Sequence, residues 1–307
     1  MTTAFLFPGQ GSQYVGMGHD LYKTSPVARK VFDIADEILD IDIKSFCFNG
    51  PEESLKQTAV TQPAIFAHSI AALEIIKSRG LQPSLVAGHS VGELAALVAA
   101  GVISIEDGFR VVSVRGHAMQ ATGKTRPGAM AAILGLDDEI ITQICNDLEG
   151  AGHVTPANFN CPGQVVISGE EKAVAKTLEI ATENGAKRAM LLPVSGAFHS
   201  GLMQPAVTAL TEILNDVPFS QAQIPVIPNV TTEPTRDPDQ LKALLIKQVV
   251  SPVRWTESMQ RLVSEGATQA LEIGPGSVLK GLMRRIDRQV TVSEAGTIES
   301  IEKLELS

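Results

Sequence analysis

The pentapeptide Gly88-His89-Ser90-Val91-Gly92 sets a serine between two glycines, and the short apolar run Leu85-Val86-Ala87 leads into it. Beyond it, Glu93-Leu94-Ala95-Ala96-Leu97-Val98-Ala99-Ala100-Gly101 reads as a helix closed by a glycine. A strand, a sharp turn carrying serine, and then a helix is the context in which G-x-S-x-G forms a nucleophile elbow. A turn this tight needs small neighbours. The first turn of the following helix offers unpaired N–H groups and the positive end of a dipole. An oxyanion formed on an acyl group carried by Ser90 would lie beside the N–H of Val91. The chemistry suggested is acyl transfer through a serine ester.

A serine hydroxyl needs a base, and histidine is the usual one. Six histidines are present. His89 adjoins the serine, but neighbouring side chains on a tight turn diverge. His19, His68, His117 and His153 fall in helix or strand patterns, where a surface or satisfied core role is the simpler reading. His199 differs, because Pro193-Val194-Ser195-Gly196-Ala197-Phe198-His199-Ser200 joins an apolar strand to a helix start. Active-site loops of α/β proteins lie in such places. No acid follows His199 before Glu212, so a dyad oriented by a backbone carbonyl and a triad with a distant acid both stay open. A second glycine-bearing turn, Pro8-Gly9-Gln10-Gly11-Ser12-Gln13, follows the apolar run Ala4-Phe5-Leu6-Phe7. It lacks the third glycine of a dinucleotide loop, where Tyr14 stands, and the lysine of a phosphate loop. It is either an ordinary turn or a donor of N–H groups that complete an oxyanion hole.

Alternating apolar runs and helical patterns predict an α/β fold with a mainly parallel sheet. The pattern gives a strand over 4–7, helices near 24–39, 53–57 and 62–79, the strand at 85–87, and a helix over 105–120. Ser104 and Asp107 suit the start of that last helix, and the polar stretch 122–128 reads as a linker. A strand at 129–134, helix at 137–149, strands at 153–159 and 164–168, helix at 170–184 and strand at 186–192 then follow. Their order, βαββαβ, is the ferredoxin-like arrangement. Helix 201–214, strand 224–227, helices 239–249 and 255–265, strand 269–273, helix 277–286 and a short helix over 299–306 complete the chain. The reading is a hydrolase-like body of 1–124 and 196–307 with a ferredoxin-like subdomain inserted at 125–195.

The 307 residues are 44% hydrophobic and carry a net charge of −9, which disfavours a nucleic-acid partner. No run is expected to reach the roughly 18 apolar residues of a membrane span, and no basic-then-apolar leader is expected at the start of the chain. Three widely spaced cysteines (Cys47, Cys145, Cys161) suggest neither a disulfide framework nor a metal site. A reducing cytoplasm is the expected location.

Phe7-Pro8-Gly9-Gln10-Gly11-Ser12-Gln13, Thr61-Gln62-Pro63-Ala64, Gly88-His89-Ser90-Val91-Gly92-Glu93, Arg115-Gly116, Asn158-Phe159-Asn160-Cys161-Pro162-Gly163-Gln164 and Glu272-Ile273-Gly274-Pro275-Gly276 occur in that order. Over essentially the whole chain, this set resembles the malonyl-CoA:acyl carrier protein transacylases of fatty acid synthesis. The resemblance implies Ser90 as nucleophile and His199 as base, with His199 oriented by the main-chain carbonyl of Gln248. It implies an oxyanion hole from the N–H groups of Gln10 and Val91, and Arg115 as the partner of the malonyl carboxylate. Gln62 and Phe198 would contact substrate, and Gly196-Ala197-Phe198-His199 resembles the malonyl-selective form, whose bulky Phe leaves little room for a branched acyl group. The family often has histidine or proline near Gly196 and Ala197, a departure that bears on acyl selectivity.

From the residues alone, an arginine among Val111, Val112 and Val114 is a snorkelling surface side chain. A substrate ending in carboxylate gives Arg115 a second reading, since guanidinium binds carboxylate in a planar, bidentate way. No metal or bound cofactor is implied, because coenzyme A and carrier pantetheine thioesters are the substrates and a thioester is already activated. The implied partners are malonyl-CoA and acyl carrier protein, with no membrane and a monomeric enzyme. An acidic carrier would need a basic patch, for which Lys187-Arg188 and Lys280 with Arg284, Arg285 and Arg288 are candidates. The alternatives are an acyltransferase supplying a polyketide synthase, an acyl-thioester hydrolase, and a non-catalytic carrier-binding subunit.

Overall fold

A computed structural model describes residues 2–148, 150–194 and 196–304. Among them the strands run β1 (Thr2–Phe7), β2 (Leu85–Gly88), β3 (Ala129–Leu134), β4 (Val154–Cys161), β5 (Gln164–Gly169), β6 (Arg188–Leu191), β7 (Val226–Ile227), β8 (Ala267–Glu272) and β9 (Thr291–Glu294). One sheet has the order β7-β2-β1-β8-β9, and every pairing in it is parallel. Its strands are covered on both faces, as parallel sheets require. Phe5 and Phe7 of β1 pack into the core built around the long Thr58–Ser78 helix, while Ala4 and Leu6 face Trp255 and Met259 on the other side. That two-residue alternation is the pleat of the strand.

The other sheet has the order β4-β5-β3-β6 and is antiparallel throughout. With the helices Asp138–Asn146 and Glu171–Glu183 it forms the ferredoxin-like βαββαβ unit. Ala131, Ile133, Val165 and Ile167 bury one face of this sheet beneath those helices. Met130, Ala132 and Val166, one position out of phase, join the core of the larger body. The small sheet thus presents its second face to the C-terminal edge of the large one. Ligands of open α/β sheets bind at such carboxyl ends. The Pro8–Ser12 turn after β1 and the Ser90 elbow after β2 lie side by side there, because Phe7 and Gly88 are register partners.

The helix over Ile105–Thr125 overturns the linker reading of 122–128, leaving only Arg126–Gly128 between helix and β3. Thr122 and Gly123 are buried in it. A Cβ on Gly196 would stand 3.1 Å from the Cα of Gly123, so the small residue serves close packing rather than a break. The 24–39 helix divides at Ser25, which caps the helix Pro26–Ile38 after a short His19–Thr24 turn of helix. The helix Ile43–Asn49 and the edge strand β9 were not anticipated. Among the described residues β9 pairs with β8 alone, and its polar alternation gives a weak pattern. By length and composition the Thr58–Ser78 helix could cross a membrane, contrary to the sequence reading, but 94% of its apolar stretch is buried inside the fold. Predicted helices over 137–149 and 299–306 appear as Asp138–Asn146 and Ile298–Glu302. Residues 149, 305 and 306 lie outside those described.

Candidate active site

Ser90 stands on the elbow with φ +51°, a left-handed conformation that costs an L-residue about 1–2 kcal/mol. The flanking glycines are required by contact. A Cβ on Gly92 would lie 2.2 Å from the carbonyl oxygen of Phe7, and one on Gly88 would lie 2.0 Å from the backbone of Gly92. The elbow is therefore pressed against the end of β1, and the helix Gly92–Ala99 springs from it.

His199 reaches Ser90 from 109 residues away, with Nε2 2.8 Å from Ser90 Oγ. Its Nδ1 faces two carbonyl oxygens, Gln248 O at 2.9 Å and Ser251 O at 3.2 Å. Carbonyls only accept, so Nδ1 carries the hydrogen and Nε2 presents its lone pair to the serine hydroxyl. This is a dyad oriented by main-chain carbonyls, one of the two arrangements open from sequence. Burial, then the charge of Arg115, push the His199 pKa from 6.5 down to about 3, against the two carbonyl bonds that raise it. The imidazole is neutral at physiological pH and able to take a proton.

Arg115 is the second feature of the site. It is 1% exposed, so it is no snorkelling side chain. Its Nη2 donates to Ser90 Oγ at 3.2 Å and to Gln248 Oε1 at 3.0 Å, while Nη1 donates to Gln62 Oε1 at 2.6 Å. All three acceptors are uncharged. Nε has no acceptor among the described residues, and no carboxylate there forms an ion pair with this guanidinium. Burial pulls its pKa down to about 10, which leaves it charged at neutral pH. Glu93, also buried, is the acid that acts on it through space, and its own pKa is pushed up to about 7 by burial. A cavity of about 240 Å³ opens over Ser90. Gln10, Val91, Gln62 and Phe198 all line it, with Met119 and Met130 adding apolar wall. Arg115 lies just behind the Ser90 and Gln62 portion of that wall.

Ser90, His199, Gln248, Arg115, Gln10, Val91, Gln62 and Phe198 are thus brought to one place. His89 also lines the cavity, but its Nε2 is held by Asn160 Oδ1 at 2.9 Å and its ring packs on Trp255. His68 is buried against the Gly296 carbonyl. Sequence reasoning did not single out Asn229, Glu93 or the side chain of Gln248, which lie beneath the elbow. Asn229 and Gln248 are 139 and 158 residues from Ser90, and no local motif marks them.

The acyl transferase domain family matches residues 4–304. This chain belongs to that family. The acyltransferase is similar to the malonyl CoA-acyl carrier protein transacylase of Bacillus subtilis, with 47% identity over 96% of this chain and 95% of that protein. It is also similar to the crystal structure of the acyl-carrier-protein S-malonyltransferase of Bartonella henselae, with TM-score 0.95, 43% identity and 98% of each chain covered. A third neighbour is a malonyl-transacylase in complex with a type II polyketide synthase acyl-carrier protein. It aligns with TM-score 0.95 and 40% identity, covering 98% of both chains.

The charge state of His199 is directly measurable. In an NMR titration of the acyltransferase, the His199 ring should stay neutral down to at least pH 5. Arg115→Ala should move its midpoint upward, since the arginine's charge lowers it. A wild-type midpoint near 6.5 would contradict the burial and charge account.

Proposed function

We propose that this acyltransferase moves a malonyl group from coenzyme A to the pantetheine thiol of an acyl carrier protein, in the service of fatty acid synthesis. The observation that carries the reading is the buried Arg115, bonded to Ser90 Oγ and otherwise only to neutral amide oxygens. A buried charge with no carboxylate bonded to it is costly, and an acyl group ending in carboxylate supplies that bonded partner beside the serine it esterifies. The amide oxygen of Gln62 is the neutral ligand that this carboxylate displaces. Phe198 and the two methionines bound the acyl pocket on its apolar side.

In the first half-reaction, Ser90 Oγ attacks the thioester carbonyl while His199 Nε2 takes the hydroxyl proton. The N–H groups of Gln10 and Val91, neither of which has an acceptor among the described residues, receive the oxyanion. Collapse of the intermediate breaks the C–S bond, and the coenzyme A sulfur leaves with the proton from His199. In the second half-reaction the carrier thiol gives its proton to His199 and attacks the malonyl-serine ester. Ser90 then departs and takes that proton back. The Gln248 carbonyl holds the imidazole in one tautomer throughout. No metal or resident cofactor enters these steps, because the thioester is already activated. A single chain supplies every group used, which supports a monomer, and three free buried thiols suit a reducing cytoplasm.

For carrier docking, Lys280 is occupied by Glu294, and Arg285 by Gln164 Oε1 and the Pro162 carbonyl. The Arg285 contact braces the β4–β5 turn at the pocket, so reversing it would disturb substrate as well as carrier. Lys187 and Arg188 are exposed and have no ion pair among the described residues. They lead into β6, whose Met190 and Leu191 are exposed, and Leu192 just beyond lines the pocket. This cationic and apolar edge is the proposed seat of the acidic carrier.

Intact-mass measurement after brief exposure to malonyl-CoA should show one malonyl group, lost in Ser90→Ala and handed on to carrier thiol. Discharge to water faster than to the carrier would make the protein a hydrolase, and labelling elsewhere would remove Ser90 from its role. Converting both Lys187 and Arg188 to Glu should raise the carrier KM about tenfold and flatten its salt dependence, leaving malonyl loading unchanged. A matching defect in loading would show that the edge supports the fold instead.

A further inference from the structure

The strained backbone of Ser90 must be held by something, and beneath it lie two fully buried amides, Asn229 and Gln248. Asn229 is 0% exposed. Its Oδ1 accepts from the Ser90 N–H at 2.8 Å, and its Nδ2 donates to the Gly88 carbonyl at 2.7 Å. One side chain therefore brackets the elbow on both sides of His89. The asparagine is fixed in turn, with its own N–H on Glu93 Oε2 at 2.8 Å and its carbonyl taken by the Arg254 N–H at 3.1 Å. Gln248 Nε2 completes the network at 3.3 Å from Asn229 Oδ1 and 3.2 Å from the Ser90 carbonyl.

Both peptide planes flanking Ser90 are pinned by these bonds. The plane before it is held through the Ser90 N–H. The plane after it is held through the Ser90 carbonyl, which accepts from Gln248 Nε2 and from the Glu93 N–H at 3.0 Å. In a trans peptide the C=O and the next N–H point in opposite directions. Fixing the Ser90 carbonyl inward therefore turns the Val91 N–H outward, and Val91 lines the pocket.

We infer that Asn229 is a positioning residue for this reaction, setting the elbow so that Ser90 Oγ meets His199 Nε2 and the Val91 N–H faces the reacting carbonyl. The inference rests on the malonyl-serine reading above. A neutral amide accepts from one backbone group and donates to the other at the same time. Alanine leaves the Ser90 N–H and the Gly88 carbonyl without their partner, and the elbow relaxes from its left-handed conformation. An ionised aspartate keeps the acceptor but loses the donor to Gly88. When protonated, it regains a donor. The charged and titratable groups around this position are Glu93 on its N–H, Arg254 after its carbonyl, and Arg115 and His199, each one bond away through Gln248.

The test is single-turnover malonylation of Ser90, read by mass, together with steady-state constants. Asn229→Ala, folded by circular dichroism, should lose about 100-fold in the acylation rate with the malonyl-CoA KM within about twofold of wild type. In Asn229→Asp the rate should rise relative to wild type as pH falls from 8 to 5.5, across a range where wild-type His199 stays neutral. This second variant keeps the test open if the alanine form fails to fold. A folded alanine variant acylating within threefold of wild type, or an aspartate variant without acid recovery, would overturn the inference. Failure of wild-type Ser90 to acylate would instead overturn the reading of the reaction itself.

Discussion

A full positive charge held in the protein interior against neutral acceptors organises this site. The Arg115 guanidinium bonds to two glutamine amides and the Ser90 hydroxyl, while its acidic neighbour Glu93 acts only through space. Three consequences follow from that charge. Together with burial, the larger cause, it holds His199 in the neutral form that can accept a proton. Under the proposed function it meets the carboxylate end of an acyl group on Ser90. Under the same proposal it disfavours neutral acyl groups, which would leave it without a bonded carboxylate.

The fold delivers these groups by register. Parallel pairing sets Phe7 beside Gly88, so the turns after β1 and β2 both offer N–H groups at one sheet edge. Arg115 projects from the middle of a helix long enough to run beneath the small subdomain, and His199 arrives on the return from that subdomain. The ferredoxin-like sheet closes the pocket with Met130, Ala132 and Val166 while its other face is satisfied by its own helices. A layer with two unlike apolar faces can both fold and roof a site.

Much of this was legible in the sequence where the signal was local. The elbow is written in five residues because the backbone contacts of Gly88 and Gly92 leave no alternative side chain. The βαββαβ order could be read because each strand and helix has a clean period. What escaped had physical reasons. Glycine at 123 reads as a breaker but sits in a helix packed on Gly196. Asn229 and the Gln248 side chain act through buried bonds across more than 130 residues, and amides carry no spacing rule. Arg115 read as surface from its neighbours, because a hydrophobic helix face looks the same whether its arginine escapes to solvent or is trapped under a sheet.

The most direct measurement of the central claim is the ratio of kcat/KM for malonyl-CoA to that for acetyl-CoA, in wild type and in Arg115→Ala. If the buried guanidinium selects the carboxylate, the substitution removes a charge-assisted contact worth about 1.5–3 kcal/mol. Malonyl-CoA should then lose roughly 10- to 150-fold, while acetyl-CoA loses little or gains. An equal fall for both thioesters would contradict the account, placing Arg115 in support of the Ser90 elbow and leaving acyl choice to another residue.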